Sequence, residues 1–439
     1  MLDIKFIREN ARQVKDAAKH KNIKVDIDEL LKLDEERRGL RGRIDELRVE
    51  RNELADAGKK GKPTAEQIAR GKNLKEKIAQ LEKEFIKIEE KYEELMVKAP
   101  TVPAPDTPIG QNDGANVEVY KWGEPTKFDF EPKSHMELAE SLDLIDFERG
   151  AKVAGYRGYY VRNELVMLQM SLMMYALEKL MAKGFTPMIP PTLVREFALF
   201  GSGYFAGKNY NPETDEIYKI ANDEKLADGS VKQEDRFLVG TAEPSLLAYY
   251  ANEVLDEKDL PLKICGFSTC YRSEIGSYGK DTKGIYRVHE FMKVEQICVS
   301  KASVDEADKL QEEMINISKK LHEDLGLPYR QLRICSGDLS AGKYKQYDLE
   351  AWIPSREGYG ETGSASNFLD WQSRRLNIKY KDSENKKRYA YLLNNTAIPT
   401  PRVLIAILEN FQQADGSVVI PKILHKYLPD GMKIIAKKN

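Results

Sequence analysis

Residues 28–98 constrain this 439-residue chain more than any other stretch. They place apolar side chains at Ile78, Leu81, Phe85, Ile88, Tyr92 and Leu95, alternately three and four positions apart. That period is a heptad seam, which is buried only against another helix. A partner run precedes it at Leu33, Leu40, Ile44, Leu47 and Leu54, with Arg37 and Arg51 interrupting the stripe. Between the runs, Gly58 to Pro63 supplies helix-breaking residues, and Pro63 is the one proline of the stretch. Thr64 and Gln67 then have capping-box spacing and restart a helix. The pattern predicts two antiparallel helices of about 30 residues each, a hairpin reaching ~45 Å. Gly39 and Gly42 fall inside the first helix, where each costs about 1 kcal/mol relative to Ala. Close approach of the second helix is the expected reason for them.

Charge along this hairpin is uneven. Residues 28–98 hold 18 basic and 18 acidic residues, but residues 48–77 hold 9 basic and 5 acidic. A basic outer half suits a phosphate backbone, whereas a solvated dimerisation coiled coil is the commoner use of such a pattern. The whole chain, at net charge −2, does not announce a nucleic-acid binder. No apolar run is long enough to span a bilayer, and MLDIKFIREN lacks a signal peptide's apolar core. Cys265, Cys270, Cys298 and Cys335 fit no CxxC spacing, so neither a zinc site nor a disulfide framework is expected, and the reading is cytoplasmic.

Residues 99–113 form a Pro-rich linker, dividing an N-terminal helical domain (1–113) from a mixed domain (114–439). In the latter a helix is expected over about 163–183, then strand-like GFTPMIPPTLV at 184–194. Residues 201–236 read as a long loop with small β elements. The last long helix follows Pro401, a suitable first-turn residue.

The chemistry-bearing strings lie in this second part. Residues 267–295 read as a hairpin around a Gly-rich loop. Arg272 and Glu274 are expected on one face of the first strand, and Phe291, Lys293 and Glu295 on one face of the second. The other strings are Gly240-Thr-Ala-Glu-Pro244, Glu361-Thr-Gly-Ser-Ala-Ser-Asn367 and Asn394-Asn-Thr-Ala-Ile-Pro-Thr-Pro-Arg402. Each is nonspecific alone; their order and spacing together are not.

Arg272-x-Glu274, a loop, then Arg287-x-x-x-Phe291 resembles motif 2 of the class II aminoacyl-tRNA synthetases. Gly-Phe followed by prolines at 184–191 resembles their motif 1, and Arg402 their motif 3 arginine. From end to end the chain looks like the seryl-tRNA synthetase family. The resemblance implies an α+β fold, with an antiparallel sheet flanked by helices and an N-terminal coiled-coil arm that grips tRNA. It implies activation of L-serine with ATP and transfer to tRNA(Ser), and to tRNA(Sec) where that exists, by a homodimer formed through motif 1. Two other readings are a relative that loads an amino acid onto a carrier protein and a catalytically inactive RNA-binding scaffold.

The same resemblance assigns the site. Arg272 and Arg402 are the catalytic arginines, the first on the α-phosphate and substrate carboxylate, the second on the γ-phosphate. Thr241, Glu243, Arg272, Glu295 and Thr396 would bind serine, with Glu295 as a lone carboxylate for its ammonium and Thr396 on its hydroxyl. ATP would meet Arg272, Ser273, Glu274, Arg287, Val288, Phe291, Glu361, Thr362, Gly363, Ser364 and Arg402, with adenine over Phe291. Glu361 and Ser364 would hold Mg²⁺ through hard oxygens; no zinc is expected. Arg51, Lys59, Lys60 and Lys62 would contact tRNA phosphates. The family pattern is broken twice: Gly363 stands where a Ser is usual, and Asn395 where a Gly is usual. Asn395 is expected in a turn with left-handed backbone angles, which Asn tolerates.

Overall fold

A computed structural model describes residues 1–59, 64–221, 224–225, 227–232, 234–275 and 284–437. They form two compact units, Met1–Pro100 and Thr101–Asn439.

The first unit contains α1 (Ile4–Glu9), α2 (Ala11–His20), α3 (Ile27–Lys59) and α4 (Ala65–Lys98). The last two are the hairpin that the heptads predict, 33 and 34 residues long. The capping box is present: Gln67 N donates to Thr64 Oγ1 at 3.2 Å and Thr64 N to Gln67 Oε1 at 2.8 Å. The seam buries Leu33, Leu40 and Ile44 against Leu74, Ile78 and Tyr92. Arg37 does not break it. Its guanidinium lies 4.1 Å from the centre of the Tyr92 ring and bonds Glu89 at 3.2 Å, so a cation–π contact replaces an aliphatic one. Asp34, fully buried, pairs with Arg8, Arg37 and Arg38 at 3.1, 3.3 and 3.1 Å. Gly39 and Gly42 are exposed, and an added Cβ would meet nothing within 4 Å. The close approach expected at these glycines is absent, because both face away from the seam.

The second unit starts earlier than the expected boundary at residue 113. The Pro-rich run is anchored to it rather than free: Thr101 Oγ1 donates to Gly342 O at 3.0 Å, Ser336 N to Pro108 O at 2.8 Å, and Arg333 to Asp106 at 2.8 Å.

Eight strands form its sheet: β1 (Val117–Trp122), β2 (Thr186–Met188), β3 (Leu262–Tyr271), β4 (Glu290–Ser300), β5 (Tyr329–Arg333), β6 (Lys345–Ile353), β7 (Gly358–Asn367) and β8 (Tyr391–Pro399). Their order is β1-β5-β6-β7-β8-β4-β3-β2. Every pair is antiparallel except β3 with β2. The fold is α+β, as the resemblance implies. Helices α5 (Glu164–Met181), α6 (Val304–Leu325) and α7 (Thr400–Asn410) share the sheet's main apolar core, with Leu168 and Leu172, Met314 and Leu321, and Leu404 and Leu408. Pro401 falls in the first turn of α7. Residues 201–236 contain the short strand Tyr218–Ile220, which pairs with Arg236–Leu238 at the end of that stretch.

The central hairpin differs in extent from the expectation. Its paired residues run from Leu262–Val299 to Tyr271–Glu290, so Arg272, Glu274 and Arg287 lie beyond the strand ends. Residues 276–283, most of the Gly-rich loop, lie outside the described residues.

Candidate active site

Strand alternation carries Phe291, Lys293 and Glu295 to one face of β4 while Val294 enters the core. Between β4 and β8 the register shifts after Val294–Ile398, so that Glu295 faces Thr396. Their side chains therefore meet, with Thr396 Oγ1 donating to Glu295 Oε2 at 3.2 Å. Thr241 Oγ1 donates to the same oxygen at 3.2 Å.

Glu295 is not the lone carboxylate expected. Lys293 Nζ lies 2.6 Å from its Oε2 and 3.4 Å from Thr396 Oγ1, and both charged side chains are almost fully buried. Reading from sequence missed Lys293; its only signal was a place on the face that Phe291 and Glu295 share. The pair gives the cleft one cation and one anion side by side, the complement of a zwitterion.

Glu243 opens the short helix Glu243–Ala248 and is buried. Its carboxylate accepts from Gln372 Nε2 and Asn394 Nδ2, both at 2.6 Å, and from Tyr204 OH at 3.2 Å. Burial pushes its pKa up to about 6. Tyr204 and Gln372 carried no motif and were missed; Asn394 opened one of the recognised strings but was given no role.

On the other side, Arg272 extends past β3 with its guanidinium 5.4 Å from the centre of the Phe291 ring. Its backbone is held from both directions, N–H to His289 O at 2.9 Å and carbonyl by His289 Nδ1 at 2.8 Å. His289 therefore fixes the arginine rather than lining the chemistry. Glu274 reaches the same cleft through a left-handed turn (φ 55°), not through strand alternation, and bonds Arg287 at 2.6 Å. Ser273 Oγ, between them, is buried without a hydrogen-bond partner among the described residues. Arg287, Val288 and Phe291 line the cleft with Arg272, Glu361 and Arg402, and the cleft opens to solvent.

Arg402, in the first turn of α7, donates to Glu361 Oε2 at 3.1 Å, to Glu361 O at 3.0 Å and to Tyr286 O at 3.2 Å. Glu361 and Ser364 are three apart, so a regular strand would separate their faces. A bulge corrects this: Glu361 pairs with Glu350 and Ser364 with Asp348, and Thr362 is the extra residue. Both side chains thus join Asp348 on the cleft side. Burial tends to raise the pKa of Glu361, but Arg402 and then Arg272 outweigh it and hold the carboxyl below its usual range. Asp348 goes the opposite way, raised by burial and by Glu361. Among the described residues no group of three or more His, Cys, Asp or Glu is placed to hold a metal ion. Glu361, Ser364 and Asp348 are an all-oxygen set, the chemistry that suits Mg²⁺.

Two expected residues sit differently. Thr362 turns its hydroxyl away from the cleft, to His322 Nε2 on α6 at 2.8 Å. Burial pushes the His322 pKa down. The ring is therefore neutral, with Nδ1–H donating to Ser318 O at 2.8 Å and Nε2 accepting from Thr362. Asn395 is in no left-handed turn. It lies in β8 opposite Gln296, its side chain donating to Ser318 Oγ and Met314 O, both at 2.9 Å. Extended backbone needs no glycine, which is why Asn is accommodated. At Gly363 an added Cβ would stand 3.3 Å from Thr396 O. Of the expected tRNA contacts, Arg51 is exposed on α3. Lys60 and Lys62, and the side chain of Lys59, lie outside the described residues.

Comparisons with known proteins agree with this geometry. The family model for the seryl-tRNA synthetase N-terminal domain matches residues 1–103. That for the tRNA synthetase class II core domain (G, H, P, S and T) matches residues 225–411. A serine–tRNA ligase of Borrelia garinii subsp. bavariensis is 43% identical over 100% of both chains. The crystal structure of seryl-tRNA synthetase from Pyrococcus horikoshii complexed with ATP is similar with a TM-score of 0.87 and 39% identity, covering 100% of each chain. The cytoplasmic serine–tRNA ligase of Naegleria fowleri in complex with AMP gives 0.83 and 30% identity, covering 100% of this chain and 99% of that one. Matched over its whole length, with both family domains in order and the motif residues converging on one cleft, the chain belongs to the seryl-tRNA synthetase family of class II synthetases.

Proposed function

We propose that the chain activates L-serine with ATP, forming seryl-adenylate and pyrophosphate, and transfers the seryl group to the 3′ end of tRNA(Ser). The observation that carries this is the convergence of two half-sites in one cleft: Glu295, Lys293, Thr241 and Thr396 on one side, Arg272, Glu361 and Arg402 on the other. The serine carboxylate attacks the α-phosphate as an anion, so no general base is needed. Catalysis rests on positioning and charge neutralisation.

Each residue then has a part. Glu295 takes the ammonium of serine, and Thr396 its hydroxyl. Glu243, beside them, supports the pocket with negative charge. Arg272 grips the α-phosphate and the attacking carboxylate with the fork geometry that lysine lacks. Arg402 holds the γ-phosphate, Glu274 the amino group of adenine, and Phe291 its ring face. Val288 and Ser273 meet ATP through their backbone or hydroxyl, and Thr362 and Gly363 through backbone alone. Glu361 and Ser364 would hold a Mg²⁺ ion, which when bound offsets phosphate charge.

The basic outer half of the α3–α4 hairpin contacts tRNA through Arg51, Lys59, Lys60 and Lys62. Its acceptors are tRNA(Ser) and, where present, tRNA(Sec). Homodimerisation is supported by an outward stripe on α5. Met167, Met174 and Met181 recur every seven residues and are 37%, 53% and 54% exposed, and Ile189, just past β2, is 84% exposed. Four cysteines, all free and buried, suit action in the cytoplasm.

Serine-dependent exchange of pyrophosphate into ATP, followed by charging of total tRNA, tests the reading. Exchange with serine, and not with alanine or threonine, is the expected result. Failure of exchange in a folded protein, or exchange without charging of any tRNA, would overturn it.

A further inference from the structure

Behind the cleft, on the covered side of the sheet, α6 presents two buried polar residues one turn apart, Ser318 and His322, both fully inaccessible. Residues at i and i+4 share a helix face. Ser318 Oγ donates to Thr396 O at 3.1 Å and accepts from Asn395 Nδ2 at 2.9 Å and Gln296 Nε2 at 3.1 Å. One hydroxyl thus spends its single donor and both acceptor sites on β4 and β8. His322 does the same office for β7, through the hydroxyl of the bulged Thr362.

The strand register explains why the hydroxyl is needed. The paired residues of β7 and β8 run from Asn367–Leu393 to Ala365–Asn395 and stop there. Beyond that point the Thr396 carbonyl is met by Ser318 from below the sheet. Thr396 is the residue whose hydroxyl lies at Glu295 on the cleft side, and it sits where the β4–β8 register shifts. The carbonyl on one side and the hydroxyl on the other belong to one residue, so fixing the first fixes the second. A buried carbonyl left unmet costs free energy and moves to find a partner.

We infer that Ser318 is a positioning residue for serine recognition, holding Thr396 in register from the far side of the sheet, and that His322 does the same for the ATP side through the bulge that aims Glu361. The inference rests on the reading of Thr396 as the contact for the serine hydroxyl. It differs from a general packing role in predicting separable effects: disturbing Ser318 affects one substrate, disturbing His322 the other.

The test is steady-state pyrophosphate exchange by the full-length chain, with serine and ATP varied in turn. The variants are Ser318→Ala, Ser318→Cys, His322→Phe and Thr396→Val, each checked by thermal melting. Cysteine fills the serine volume but is a poor donor, so it keeps the interior packed if Ser318→Ala does not fold. Loss of one hydrogen bond corresponds to roughly 2- to 10-fold. Both Ser318 variants should raise the KM for serine by that factor, with the KM for ATP within about twofold. His322→Phe should raise the KM for ATP and leave that for serine. Thr396→Val separates the two levels of the argument. If it leaves the KM for serine unchanged, the reading of the site fails, and this inference with it. If it raises that KM while the Ser318 variants do not, or while they raise both KM values alike, the positioning role alone is overturned.

Discussion

The α3–α4 hairpin and the catalytic cleft are both built from paired elements, yet their parts come together over different distances in sequence. In the hairpin, Leu33 and Tyr92 are both buried because a local period of seven residues repeats on two adjacent segments. In the cleft, Glu295 meets Thr396 and Thr241 only because the sheet sets β8 beside β4, out of chain order. The first arrangement is redundant, since each heptad repeats the last. The second is unique, and one shifted register changes which side chains converge. Loss of single residues should therefore be graded in the arm and abrupt in the cleft.

The sharpest break should come at Glu295. Glu295→Gln removes the charge proposed to hold serine's ammonium and strands Lys293, which sits 2.6 Å away. A charge-assisted bond is worth about 1.5–3 kcal/mol, so kcat/KM for serine should fall roughly 10- to 150-fold or more, with the fold retained. Normal exchange kinetics in that variant would remove Glu295 from the site. Arg402→Lys comes next. The charge is kept but the fork onto Glu361 and phosphate is lost, and the ATP-dependent step should slow by at least about tenfold. A near-normal exchange rate would make Arg402 a helix-start residue only.

In the arm the effect moves to the second half of the reaction. Replacing Arg51, Lys59, Lys60 and Lys62 together by alanine should leave serine activation intact and weaken tRNA binding. Each lost phosphate contact should flatten the salt dependence by about 0.7–0.9. Filter binding at several salt concentrations reads this, and an unchanged slope would reduce the arm to a structural element.

A smaller effect concerns pH. Burial holds Glu243 at about 6, above its ordinary value. On acidification through that range the carboxylate takes up a proton in the folded chain before the unfolded chain does. Its own contribution to folding therefore becomes more favourable as pH falls, while the pocket loses negative charge. Serine activation should decline on the acid side with a midpoint near 6, without a matching drop in melting temperature. Parallel losses of both would show that the decline is unfolding. Last, Arg37→Met should cost the first unit only about 1 kcal/mol, because Asp34 keeps Arg8 and Arg38 while the Tyr92 contact is lost. Thermal melts of the full chain would show it as a small shift.

What the sequence made legible follows the same division. The hairpin, its capping box and its length were readable because heptad and cap are local signals. The cleft residues were found as strings, through resemblance, and their roles did not depend on knowing the strands. What escaped was geometry of non-local origin. Arg272 and Glu274 were expected on one strand face, but the strand ends at Tyr271 and a left-handed Glu274 does the aiming. Tyr204, Gln372 and Asn394 acquire their parts only from Glu243, far along the chain, and Lys293 from Thr396 as well as from its near neighbour Glu295. Asn395 was read as a turn residue because the resembling family usually has a Gly there; its extended backbone is set by pairing with Gln296. The outward-facing Gly39 and Gly42 have no account in the structure.

The buried carboxylate of Asp34 has a mechanical consequence for the arm. Three guanidiniums converge on it from α1 and α3, so pivoting the hairpin there would uncover a charge that water does not reach. That root resists bending. Farther out the seam thins: Leu54 is half-buried, Gly71 offers it no side chain, and Ile68 is 62% exposed. Compliance is therefore concentrated in the outer span. The hairpin behaves as a cantilever, clamped at its root and yielding along the described outer turns, so a load applied there is taken up without strain reaching the root.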